Sequence, residues 1–180
     1  MIVEKQSLPL IAWSVGLVSA AMLFSFALAC GMPFAGLGAL AAVVLPLRQA
    51  LATATLGWLA NQIVGFGFLG YPADPATIAW GVALGLSAIA AVAAAKTVYR
   101  LSARWPSSTR AVFAFAAALV AQQAVVYAAS WPLPSHPSAF SLPVLAEIGW
   151  TNALAFMVLG LLYRLGTMTG LAPLPRQAHG

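Results

Sequence analysis

The sequence is short of charge. It has eight Lys and Arg against three Asp and Glu, and charged residues make up 6% of the 180 positions while hydrophobic ones make up 62%. With a mean hydropathy of +0.94, the chain falls outside the soluble globular range. It reads as an all-α integral membrane protein, expected in a bacterial cytoplasmic membrane. A single cysteine, Cys30, excludes an intrachain disulfide and a multi-thiolate zinc site. No Walker loop, HExxH or Gly-x-Ser-x-Gly occurs, and no span holds a carboxylate pair or a Ser/His pair. Enzymatic activity is therefore not expected. No ionisable residue lies near a span midpoint and no internal repeat is evident, which counts against a proton-coupled, inverted-repeat carrier. The net charge of +5 comes from dispersed residues with no basic and aromatic platform, so no nucleic-acid partner is expected.

What the chain does have is a series of apolar runs. Six spans are expected, at about 8–29, 34–47, 51–70, 77–98, 111–131 and 144–163, within a single domain covering 1–180. The second is short, about 20 Å at 1.5 Å per residue, and could be a short span or a re-entrant segment. The charges favour the span. With six crossings and both termini cytoplasmic, Lys5, Arg48, Lys96, Arg100, Arg104, Arg110, Arg164 and Arg176 all fall on the cytoplasmic side. Met1 to Ser7 then forms a short cytoplasmic tail.

The third run places polar residues within a crossing. Trp58, Asn61, Gln62 and Gly65 follow i, i+3, i+4, i+7 spacing and share one stripe, and a carboxamide in hydrocarbon needs a partner. Counting from Arg48, Arg110 and Arg164 puts Asn61, Gln122 and Asn152 at roughly 18–20 Å, just outside the midplane. Above that layer come Trp80, Gln123, Tyr127, Trp131, Glu147 and Trp150, with Tyr71, Asp74 and His136 beyond the spans. The inner half is mostly aliphatic or small. A polar, aromatic outer half over an apolar inner half is expected to form an outward pocket for a small solute. The same residues also fit other roles. The tryptophans suit an interfacial belt, the carboxamides suit interhelical bonding, and Glu147, Asp74 and His136 suit wetted positions at span ends.

Ala12, Gly16 and Ala20 recur every four residues on the first span, a pattern that serves either internal packing or the docking of another helix. Cys30 is either a small apolar residue or a soft metal ligand, with His136 and Met32 as its natural companions.

The six-span plan with cytoplasmic termini, and the Ala12-x-x-x-Gly16-x-x-x-Ala20 face, resemble the substrate-binding S components of energy-coupling-factor vitamin transporters. The family's first-span signal is Ala-x-x-x-Ala, and Gly16 departs from it. The resemblance implies uptake of a vitamin-sized solute from an outward pocket, docking of a transmembrane coupling subunit with its ATPases, and no covalent cofactor. The solitary cobalamin transporters related to that family imply a corrinoid as the transported ligand, with Cys30 on its cobalt. Two alternatives stand beside this reading. One is a structural or assembly subunit of a membrane complex, and the other is a transition-metal permease using Cys30, Met32 and His136.

Overall fold

The computed structural model describes residues 7–27 and 32–169. Six α-helices follow one another: α1 (Ser7–Ala27), α2 (Phe34–Val44), α3 (Leu47–Gln62), α4 (Pro75–Leu101), α5 (Ser107–Ala129) and α6 (Leu142–Met168). A π-helical turn, Ile63–Phe68, extends α3, and a 3-10 turn, Pro137–Phe140, precedes α6. Among the described residues there is no strand. α4, α5 and α6 are each long and apolar enough to cross a membrane.

Prolines set most of the helix boundaries. Pro33 and Pro106 stand at the N-caps of α2 and α5. Pro46 forces Leu45 into extended backbone, ending α2 at Val44 rather than at residue 47 as the apolar run alone implies. Pro75 opens α4 behind Asp74, whose carboxylate accepts from the backbone N–H of Ala76 (2.9 Å) and Thr77 (3.0 Å). Where the sequence predicts helix through Gly70, the α-helix loosens after Gln62. Gly70 then takes φ 67°, and the chain folds back so that the Tyr71 N–H donates to Gly65 O at 3.0 Å.

α2 is the centre of the bundle. It is about 16 Å long, and every residue from Phe34 to Ala42 is buried, so it lies among the other helices rather than against lipid. Glycine and alanine make this possible, because lipid tails are as apolar as the helices and close backbone approach must supply the association energy. A Cβ on Gly36 would lie 2.6 Å from the Asn152 carbonyl oxygen of α6. One on Gly38 would meet Val92 of α4 at 3.3 Å, and one on Gly57 of α3 would meet Leu37 at 3.0 Å. α4 and α5 pack along their length, whereas α5 and α6 meet only sparsely.

Side-chain caps fix which ends lie together. Lys96 Nζ donates to the carbonyls of Ala42 (2.6 Å) and Leu45 (2.7 Å), closing the C-terminus of α2. Arg110 donates through Nε (3.1 Å) and Nη2 (2.9 Å) to Tyr99 O and lies over the Tyr99 ring at 3.9 Å. Arg48, Lys96, Arg100, Arg104, Arg110 and Arg164 therefore gather at one end of the bundle. At the other end Trp80 Nε1 donates to Pro134 O at 2.9 Å, joining α4 to the loop before α6.

Candidate functional site

The residues expected to line a pocket divide into three groups. The first bonds helix to helix. Asn152, 4% exposed, accepts from the Gly36 N–H at 3.0 Å and donates through Nδ2 to Ile148 O at 2.9 Å. Its oxygen thus serves an amide in the first turn of α2 that has no intrahelical acceptor. Trp58 Nε1 donates to Gly81 O at 2.7 Å, and its ring lies where a Cβ on Gly85 would come within 2.9 Å. Gln62 fills the place above Gly81, with Oε1 2.7 Å from where that Cβ would be. The stripe on α3 is in this way seated on a two-glycine groove of α4, and Asn61 beside it is half-buried.

A second group sits at the surface, at the end of the bundle opposite the basic residues. Trp131 and Trp150 are 78% and 64% exposed, and Glu147 is exposed as well. Tyr127 makes edge-on contacts with Trp131 and Phe140, at ring separations of 6.0 and 5.0 Å. Trp80 is committed to Pro134, as described above. His136 Nδ1 lies 2.7 Å from Ser138 Oγ and 3.3 Å from the Ser138 backbone nitrogen, which donates to it. Asp74 is held below the ordinary carboxylate range by hydrogen bonds from Thr77, backbone and side chain, and from the Ala76 N–H.

Gln122 forms the third group by itself, with half-buried Gln123 as its neighbour in sequence. It continues the buried stripe of Ala114 and Ala118 on α5 and is 7% exposed. Its Oε1 is buried without a hydrogen-bond partner among the described residues. Fifteen residues beyond Ser107, it stands about 22 Å along α5 from the basic end.

The metal-ligand expectation rests on Cys30, which lies outside the described residues. Met32 is buried against the core, and among the described residues no three of His, Cys, Asp and Glu stand together. On α1, Ala12 and Gly16 are exposed and Ala20 is half-buried, and a Cβ on Gly16 would meet nothing within 4 Å. Ala20 packs against the core, so only the Ala12 and Gly16 part of this small-residue face is left uncovered among the described residues.

The sequence gives little sign of a second feature, at the basic end. A groove of about 540 Å³ opens between α5 and α6. Leu40, Val43 and Val44 of α2 form its back wall, and Ser107, Ser108 and Arg164 stand at its basic mouth. Phe156, stacked on Phe115 at 5.1 Å, closes the far end.

No family model, curated protein or solved structure matches the chain.

Proposed function

We propose that the chain is a six-span membrane receptor and carrier for a vitamin-sized solute, with both termini in the cytoplasm and the basic end facing inward. The observation that carries this reading is the Gln122 carboxamide oxygen, buried at membrane depth and unpaired. A buried acceptor without a donor costs about 1–3 kcal/mol. A solute that donates to it recovers that cost, and the half-buried Asn61 and Gln123 add polar contacts at a similar depth. The exposed aromatic side chains of Tyr127, Trp131 and Trp150 stand at the entrance, suited to a flat or apolar part of the ligand. The exposed Ala12 and Gly16 face supports docking of a coupling subunit, which would supply the energy for release. Cobalamin remains the named candidate for the solute.

A second reading, a subunit that assembles a membrane complex, draws support from Trp58 and Asn152, whose polar atoms already serve neighbouring helices. Native mass spectrometry of the gently solubilised protein separates the two. The carrier reading expects a retained small molecule, reduced at least tenfold in Gln122→Leu. A stoichiometric companion chain with no small molecule would overturn it in favour of the assembly subunit.

A further inference from the structure

The groove between α5 and α6 opens at the basic end of the bundle, away from Gln122, and has no part in the proposed solute site. Its walls are apolar, with Leu40, Val43 and Val44 behind and Phe156, Gly160 and Leu161 beside them. It exists because α5 lies along α4 while α2 holds α6 away from α5. From Arg164 to Phe156 it runs eight residues along α6, about 12 Å. Its volume, about 540 Å³, lies within the range of small-ligand sites.

The charge at its mouth is one-sided. Arg164 is exposed, and its guanidinium makes no hydrogen bond or ion pair among the described residues. Arg110 differs, being held on Tyr99. Ser107 and Ser108 add two hydroxyls, and the first-turn amides of α5 have no intrahelical acceptors. The acidic residues described, Asp74 and Glu147, both belong to the opposite end of the bundle. No described acidic side chain is therefore placed to answer Arg164 at this end.

We infer that this groove binds one anionic phospholipid of the inner leaflet, its phosphate at Arg164, Ser107 and Ser108 and one acyl chain between α5 and α6 as far as Phe156. An apolar slot under a cationic mouth at headgroup level matches a phospholipid in both charge and polarity. A free anion would leave the slot empty, and a neutral lipid would leave Arg164 unanswered. The inference rests on the chain lying in a bilayer with its basic end inward, and it is independent of which solute is carried. Lipid retention and solute binding can therefore fail separately.

The test is native mass spectrometry of the protein released from nanodiscs of phosphatidylglycerol and phosphatidylcholine in equal amounts. The wild type is expected to keep a single phosphatidylglycerol at least fivefold over phosphatidylcholine. Arg164→Gln removes that preference. Gly160→Leu, at a position where a Cβ meets nothing within 4 Å, fills the slot and reduces retention of both lipids. Equal retention of the two lipids by the wild type would overturn the inference, as would an unchanged preference in Arg164→Gln. Circular dichroism melting of each variant confirms that it is folded. Should Arg164→Gln fail to fold, Ser108→Leu reads the same mouth, and an unchanged preference there overturns the inference equally.

Discussion

Single residues carry the polar balance of this bundle, and two of them show how far a sequence can be read. The depth of Gln122 follows from counting along one helix, so its place inside the bundle was legible. That its oxygen is unpaired was not, because this depends on what the neighbouring helices fail to offer. Asn152 is the opposite case. It was legible as a buried carboxamide needing a partner, but the partner is the Gly36 N–H, 116 residues away in the chain, and only the packing of α2 on α6 brings them together. Asp74 caps α4 as a carboxylate, and its folded pKa lies below the ordinary value of 3.8. The cap's contribution is therefore complete above about pH 4 and is lost as pH falls through the lowered folded value. Thermal melting in nanodiscs should show a gap between wild type and Asp74→Ala that is constant from neutral pH to about pH 5 and narrows below about pH 4. A gap that does not change with pH would contradict this role.

At the scale of the helix, apolar runs and prolines made the order of the six α-helices legible, although α5 begins four residues before its apolar run and α6 ends five residues beyond it. α2 was legible as short but not as central. The sequence could not show that a helix about 16 Å long is buried from Phe34 to Ala42, because its residues would look equally apolar against lipid. The π-helical turn after Gln62 was not legible either, since Gly65 and Gly67 weaken a helix without specifying a change in its winding. Close helix contacts give an ordered prediction. Gly36→Ala would drive a Cβ against a backbone carbonyl, Gly85→Ala against the rigid Trp58 ring, and Gly81→Ala against the movable end of Gln62. Loss of stability, measured by denaturant unfolding in mixed micelles, should follow that order. Gly36→Ala should fall at or above the upper part of the range of about 1–3 kcal/mol for overpacking, and Gly81→Ala near or below its lower end. A Gly81→Ala loss equal to that of Gly36→Ala would show that Gln62 is fixed rather than adaptable.

For the molecule as a whole, the described basic residues lie at one end and the Trp80–Pro134 contact at the other, and the proposed orientation sets the basic end inward. In a Cys30→Ala background, Ser135→Cys should react with a membrane-impermeant maleimide in intact cells, and Arg104→Cys should react only after permeabilisation. Equal labelling of the two would refute the orientation. The groove beneath Phe156 was not legible from the sequence, because it is a gap between helices set by where α2 stands. Its lining residues are aliphatic, small and aromatic side chains of the kind that fill any membrane helix. The carrier reading, by contrast, depends on Gln122, whose buried carboxamide oxygen is unanswered among the described residues. The most direct measurement is a binding titration of the purified protein in nanodiscs against a panel of vitamins and corrinoids, with Gln122→Leu alongside. At least one solute should bind at micromolar affinity or tighter and weaken at least tenfold in the variant. A folded wild-type protein that binds none of them, or a solute held equally well by Gln122→Leu, would contradict the account.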